Sequence, residues 1–409
     1  MVTREEVVNA YLALLGREPE SEEAVRSHCS THGGVVTLIS SILESQEYKL
    51  RHRAAIQPSV VADEPRTFTR DQLIKIYRDL LRRKPESEEI IASQLVAHRT
   101  ANDFEGVVRQ SEEFQRLQLF SSKRKIQLQD IDKEIALIDR LLAEDPDGYH
   151  DALNDFWLEI QPFAVAPTSG AYMRWVMNTY SLIANRETYE VSSEETDYDL
   201  ESSVRRPVPY QSGNAKMIGD MLMAVGHVIH VMDMKAGASI LEFGFGWGNT
   251  TVQLAMAGYE VTGIDIAPNF VEMVRRRINA LGLEAELAVG DFFNAENLGR
   301  KFDAVLFFEC FHHCSDHVRL LKAIPRILKP GGKLVLAGET INNALPYPWG
   351  VNPDGQAIYC IRKFGWLELS FRENYILDLL DDLGWNVEKH NFINAMGVTF
   401  IATRKDDGR

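Results

Sequence analysis

Cysteine is scarce in this sequence. Cys29, Cys310, Cys314 and Cys360 are four in 409 residues, too few and too scattered for a disulfide scaffold. Basic charge is in deficit too. Lys and Arg total 44 against 59 Asp and Glu, a formal net charge of −15. Nothing in that balance resembles a surface built for a phosphate backbone, so nucleic acid is not an expected partner. Long apolar runs are missing: none reaches the roughly 18 residues a membrane-spanning helix needs. The stretch from Met1 to Glu6 is polar and acidic, without the basic start and apolar core of an export signal. Together these absences lead us to expect a cytoplasmic protein without a transmembrane segment. Apolar residues, in contrast, make up 45% of the chain. That is enough for a core in each of the two to four domains that about 100–200 residues per domain allows.

The amino-terminal part repeats itself. Thr3-Arg4 returns as Thr69-Arg70. Tyr11, Leu14, Leu15, Arg17 and the run Pro19 to Glu23 return as Tyr77, Leu80, Leu81, Arg83 and Pro85 to Glu89. Ser45-Gln46-Glu47-Tyr48 returns as Ser111-Glu112-Glu113-Phe114, and all of these pairs share an offset of 66 without a gap. Chance does not produce this, so the segment is a duplication. In each copy Val7, Val8, Tyr11, Leu14 and Leu15, or their counterparts, recur at helical spacing. The Pro-Glu-Ser-Glu-Glu run ends one helix and begins another, with acids in its first turn. Ala54 to Phe68, with Pro58 and Pro65, reads as a linker.

The pattern from Tyr11 to Pro19, closed by Ser-x-Glu-Tyr, resembles a small helical domain of unknown function. That domain occurs in bacterial surface-layer proteins and beside enzymes of cell-surface polysaccharide assembly. The second copy carries Arg82 where that family usually has Gly. The resemblance implies a packing or docking module, able to bind polysaccharide-assembly proteins or to pair chains in a homodimer. Ser122 to Glu144 then reads as helical. Leu128, Ile131, Ile135, Ile138 and Leu142 follow a coiled-coil spacing for only about two heptads, which favours packing on its own chain. The expected domains are residues 1–53, 68–121, a helical linker 122–146, and 147–409.

The chemistry lies further on. Ala238 to Phe243 is an apolar strand carrying Glu242 near its end. Gly244-Phe245-Gly246-Trp247-Gly248 follows, then a helix over Asn249 to Ala257. Glycines let the backbone turn sharply and approach a ligand, and the helix start offers free N–H groups. Glu260 to Asp265 is a second strand, again ending in an acid of the sort that reaches ribose hydroxyls in a doubly wound sheet. Further strands are expected at Glu284 to Val289, Phe302 to Phe308 and, after the Lys329-Pro330-Gly331-Gly332 turn, Lys333 to Leu336. A last antiparallel strand is expected at Gly397 to Thr403. A nicotinamide enzyme would prefer Gly-x-Gly-x-x-Gly and lacks the Lys-Pro-Gly-Gly turn.

These marks, in this order, resemble the class I S-adenosylmethionine-dependent methyltransferases over roughly residues 237–404. The resemblance implies an α/β, Rossmann-like domain with a seven-stranded sheet, preceded here by an all-α tandem repeat, and it implies S-adenosylmethionine as cofactor. By position, Glu242, Gly244, Gly246 and Gly248 would hold the methionine part, Asp265 the ribose diol, and Ile266 the adenine. Asp291 would face the adenine amine, with Phe292 beside the ring. Glu309, His312 and His313, in the run Glu309 to His317 after the fourth strand, stand where a catalytic base is needed, because ligands bind at the carboxyl ends of parallel strands. Imidazole titrates near neutrality, which puts the histidines first. No metal site is expected: Cys310 and Cys314 are not spaced as a zinc knuckle, and no second ligand cluster is evident.

Two additions to the family core carry the choice of acceptor. One precedes it and includes Trp175, Tyr189 and the run Arg205 to Gly213 with Tyr210. The other, Glu339 to Phe371, has little periodicity and reads as a lid or binding loop; Ser370 and Glu373 would cap the helix after it. Aromatic rings with amides and carboxylates suit a sugar, so Tyr210, Trp349, Asp354 and Trp366 are the candidate acceptor residues. The expected activity is O-methylation of a sugar hydroxyl in bacterial surface polysaccharide or glycolipid assembly. The alternatives are O- or N-methylation of a small non-sugar metabolite, or a non-catalytic scaffold.

Overall fold

The structure is a computed structural model that describes residues 2–15, 19, 21–31, 38, 41, 68–85, 87–195, 198–205 and 215–405. Tyr210 and the linker 54–67 lie outside the described residues. The chain divides into two compact units, residues 1–67 and 68–409. The second repeat therefore shares a unit with everything that follows it.

In the first unit, helices Arg4–Leu15 and Glu22–Thr31 bury Val7, Tyr11 and Val25. The second repeat begins with helix Arg70–Ile76, continues as a π-helical turn Tyr77–Leu81, and goes on to helix Glu88–Ala97. The offset of 66 recurs in the contacts. Arg4 pairs with Glu22 and Arg70 with Glu88, while Thr3 N donates to Glu6 and Thr69 N to Gln72. Arg82 adopts φ 56°, the left-handed backbone that the usual glycine would provide without strain. The turn is held by the rest of its own unit: Lys84 N donates to Asn374 Oδ1 at 2.9 Å, and Arg83 Nε and Nη2 donate to Glu113 at 2.6 and 2.8 Å.

The continuous helix expected over Ser122 to Glu144 is broken. A short strand Arg124–Ile126 pairs in parallel with Phe156–Leu158, and a helix resumes at Ile131–Glu144. Ile131, Ile135 and Ile138 are buried within their own chain while Leu128 and Leu142 are exposed, so there is no coiled-coil seam.

The main sheet has seven strands: β1 Ser239–Phe243, β2 Glu260–Asp265, β3 Glu286–Val289, β4 Phe302–Phe308, β5 Leu328–Ala337, β6 Trp385–His390 and β7 Thr399–Arg404. Their order is β6-β7-β5-β4-β1-β2-β3, parallel except that β7 runs antiparallel to both neighbours. Between β4 and β5 the register jumps from Phe302–Leu328 to Ala304–Lys333. The Lys-Pro-Gly-Gly segment makes that excursion.

Alternate residues of a strand face opposite sides of the sheet. Leu241, Phe243, Val305, Phe307, Leu334 and Leu336 pack on one face, and Ile240, Ala304, Leu306, Val335 and Ala337 on the other. The second face is covered by Leu254 and by helix Ala215–Met232 through Val228 and Met232. Among the described residues this is the one helix long and apolar enough to cross a membrane, by length and composition alone.

The first face is covered by helix Gly170–Ala184 and by the insertion 339–371. The insertion is not an open lid. It holds the strand pair Trp349–Val351 with Leu369–Phe371 and helix Gly355–Lys363, and it buries Ile358, Ile361 and Leu367. Nor do Ser370 and Glu373 form a capping box. Ser370 is a buried strand residue donating to Thr340 O at 2.6 Å, and Glu373 N donates to Asn343 Oδ1.

Candidate functional site

The site forms where β1, β2, β4 and β5 end. Glu242, near the end of β1, is 1% exposed, and Thr251 Oγ1 donates to its Oε2 at 2.7 Å. Burial disfavours its charge and outweighs that bond, pushing its carboxyl up to about 8. The turn that follows uses left-handed backbone at Gly244, Gly246 and Gly248. A side chain at Gly244 would strike Cys310, and one at Gly248 would strike Val274, whereas a Cβ placed on Gly246 would meet nothing within 4 Å. Asp265, at the end of β2, is buried and raised in pKa by that burial. Its Oδ2 accepts from Gly246 N at 2.8 Å and its Oδ1 from Ala267 N at 2.9 Å. Arg277 donates to Trp247 O at 2.6 Å, and Tyr198 packs against Trp247, so the turn is held from outside as well.

Ile266 is half-buried next to Asp265. Asp291, after β3, is exposed, and its Oδ1 accepts from Phe293 N and Asn294 N. Phe292 packs against Phe243 and Phe307. All eight residues expected around a cofactor thus lie at the ends of β1, β2 and β3.

The run after β4 docks on the glycine turn: Cys310 Sγ donates to Phe243 O at 3.0 Å. Glu309 adopts φ 52°, a strained backbone of the type that gathers at functional sites. Glu309 is exposed, although protein crowds around its carboxyl. That crowding comes first in raising its carboxyl to about 7; Glu339 and Glu368 add to the rise and His312 opposes it, while the exposure moderates the shift.

Glu339, two residues beyond β5, has a fully buried side chain. It accepts from Cys310 N, Phe311 N and His312 N at 3.0–3.1 Å and lies 2.8 Å from His312 Nδ1. Burial pulls the His312 imidazole down, but the Glu339 bond and the charges of Glu339, Glu368 and Glu309 win and raise it to about 9. The His312 imidazole therefore holds its proton more tightly than an ordinary histidine. His313 Nδ1 lies 3.0 Å from Leu367 O and 3.5 Å from Glu194 Oε2. Burial raises the Glu194 carboxyl, which accepts from Leu367 N at 2.8 Å and Tyr189 Oη at 2.9 Å.

Of the candidate acceptor residues, two serve the fold. Trp349 is 1% exposed, and its Nε1 donates to Pro167 O at 2.8 Å. Asp354 caps helix Gly355–Lys363 through Ala357 N. Trp366 remains: it is half-buried, and its Nε1 is buried without a hydrogen-bond partner among the described residues. Glu194, Glu339 and Glu368 were not read as site residues. The one available signal was Glu339, an acid just past a parallel strand. His312, His313 and Glu368 also form a group whose ligand atoms lie within 4.8 Å of one another. Spacing gave no warning of it, because Glu368 arrives from the insertion.

Comparison with known proteins agrees with this geometry. The family described as methyltransferase domain matches residues 240–332. A ubiquinone biosynthesis O-methyltransferase of Xanthomonas oryzae pv. oryzae (strain PXO99A) is 38% identical over 108 residues, 25% of this chain and 43% of that protein. A norajmaline N-methyltransferase of Rauvolfia serpentina is 28% identical over 151 residues, 36% of this chain and 51% of that protein. The chain thus spans about half the length of these curated relatives. Among solved structures, an S-adenosylmethionine-dependent methyltransferase from Methanosarcina mazei is 22% identical with a TM-score of 0.35, covering 43% of this chain and 96% of that one. Residues 240–332 of this chain thus match the methyltransferase-domain family.

Proposed function

We propose that this chain transfers a methyl group from S-adenosylmethionine to a hydroxyl oxygen, and that the acceptor is a sugar of a surface polysaccharide or glycolipid. One observation carries the transfer: the open space over Gly246, flanked by buried Glu242 and Asp265, lies beside the Glu309–His313 run through the Cys310–Phe243 bond. The residues fit the cofactor. A Cβ at Gly246 would fill open space rather than protein, and Asp265 holds the turn while lying beside that space. When bound, S-adenosylmethionine supplies a methyl group on a sulfonium that is already a good leaving group.

The chain's own work is to orient the acceptor and take its proton. Glu309 suits that second task. It reaches solvent, its carboxyl sits near 7, and no lysine or arginine pairs with it among the described residues. Crowding by protein first, and then its acidic neighbours Glu339 and Glu368, raise its proton affinity toward the operating pH, where a general base is most effective. His312 and His313 then act by position rather than as free bases.

The sugar reading draws support from the amino-terminal repeats and from Trp366, whose half-buried ring offers a stacking face. The repeats would dock the enzyme to assembly partners or pair two chains. The relatives named for ubiquinone biosynthesis and norajmaline favour a second reading, a small non-sugar acceptor. Transfer of a labelled methyl group to uronic acids, neutral sugars, sugar nucleotides, polysaccharide extracts and phenolic metabolites decides between them. Label on carbohydrate is expected. Label on phenols alone overturns the sugar reading, and tight cofactor binding with no transfer to any acceptor leaves a scaffold.

A further inference from the structure

Three side chains from two separate parts of the sequence, the adjacent His312 and His313 and the distant Glu368, converge after β4. His312 Nε2 lies 3.6 Å from Glu368 Oε2, and the rings of His312 and His313 are 4.3 Å apart, centre to centre. Bonds of about 2.0–2.2 Å to one ion fit ligand atoms gathered on this scale. Each imidazole also has its other nitrogen engaged. His312 Nδ1 faces the Glu339 carboxylate at 2.8 Å, and His313 Nδ1 faces the Leu367 carbonyl at 3.0 Å. A carboxylate and a carbonyl can only accept, so each Nδ1 is the donor, and a metal ion that displaces any proton on Nε2 would find a lone pair there. Outer acceptors orient metal-bound histidines in this way.

The local charge points the same way. Glu194, Glu309, Glu339 and Glu368 surround the two imidazoles, and none of the four pairs with a lysine or arginine among the described residues. Acidic side chains gathered at this density around two imidazoles favour a bound cation.

We propose that His312, His313 and Glu368 form a binding site for one divalent transition-metal ion of the zinc or manganese kind. Two imidazoles beside one carboxylate select such metals over magnesium and calcium, which prefer all-oxygen sites. Three protein ligands leave a position for water or an acceptor oxygen. An acceptor hydroxyl bound there becomes more acidic and gives its proton to Glu309. That last role rests on the methyltransferase reading; the site itself does not.

The test uses the full chain, freed of metal with EDTA and then of EDTA. Zn2+ is titrated against a chromophoric chelator, with Mn2+ and Mg2+ in parallel, and S-adenosylhomocysteine binding is measured separately by calorimetry. One equivalent of Zn2+ is expected to bind, with Mg2+ unable to displace it. His313→Ala and Glu368→Gln should each weaken Zn2+ binding by at least about 100-fold, the upper end of what losing even an outer partner costs. Both variants should keep the wild-type circular dichroism and still bind S-adenosylhomocysteine. Protein that binds S-adenosylhomocysteine but takes up no Zn2+, or folded variants that bind Zn2+ as wild type does, overturns the metal site and leaves the methyltransferase reading standing. Stoichiometric Zn2+ lost in both variants, with no S-adenosylhomocysteine binding by wild type, supports the site and overturns that reading.

Discussion

Gly246 and Gly248 lie in one turn and give opposite expectations for the same substitution. Both have left-handed backbone, with φ of 45° and 73°, so alanine at either costs about 1–2 kcal/mol in strain. At Gly248 the new Cβ would lie 2.4 and 2.6 Å from the two γ-methyls of Val274. Val274 is fully buried and has nowhere to move, so overpacking adds about 1–3 kcal/mol. Gly248→Ala should therefore lose about 2–5 kcal/mol of stability. At Gly246 the new Cβ would meet no atom within 4 Å, and Gly246→Ala should lose only the strain. Its Cβ instead enters the space assigned to the cofactor. A clash of about 1–3 kcal/mol in the complex weakens binding by about 5- to 150-fold. Urea denaturation followed by tryptophan fluorescence measures the first effect, and calorimetry with S-adenosylhomocysteine measures the second. Equal destabilisation by the two variants, or unchanged affinity in Gly246→Ala, would refute the reasoning.

Three further outcomes are expected. Burial lowers His317 to about 3, among Phe311, Trp349 and Phe371. The unfolded chain takes up a proton below about 6.5 that the folded one refuses, so stability falls by about 2 kcal/mol from pH 7 to pH 5. His317→Phe should remove that part of the slope in urea titrations at the two pH values. Glu242 acts in the opposite sense. Its raised pKa means that the folded state keeps a proton the unfolded state releases above about 4.5, so between pH 5 and 8 this group lowers stability by up to about 3 kcal/mol. Glu242→Gln should flatten that decline, and an unchanged slope would count against the burial argument. In the second repeat, Arg83 is 4% exposed and makes two bonds to Glu113, so Arg83→Ala should cost about 3 kcal/mol. Lys84→Ala, which removes only an exposed pair with Asp378, should cost under about 1 kcal/mol. Urea denaturation of both variants checks the order.

Much of the sheet was legible, for a local reason. β1, β2 and β4 are apolar runs closed by an acid or a glycine, and all three were read to within a residue. The cofactor residues came with them, because a loop at a strand end stays adjacent in sequence to the strand that positions it. Where a partner is distant, the reading failed. Arg124–Ile126 belongs to a helical pattern until Phe156–Leu158 pairs with it. Ser370 sits where a cap would, yet the strand Trp349–Val351 claims its segment. Trp349 and Asp354 carry the right chemistry for a sugar, and only packing reveals that the protein itself uses it. The acids around His312 and His313 were hidden for the same reason, since Glu194 precedes the sheet and Glu339 and Glu368 come from opposite ends of the insertion.

The central claim is methyl transfer supported by a proton acceptor after β4. Its most direct test is label transfer from S-adenosylmethionine to the carbohydrate panel by wild type and by Glu309→Gln, measured from pH 5 to 9. Wild-type rate should rise with pH through about 7, as the Glu309 carboxyl ionises. The variant should bind cofactor normally, lose at least about 100-fold in rate, and lose that inflection. A variant with wild-type rate and an unchanged pH profile would contradict the account.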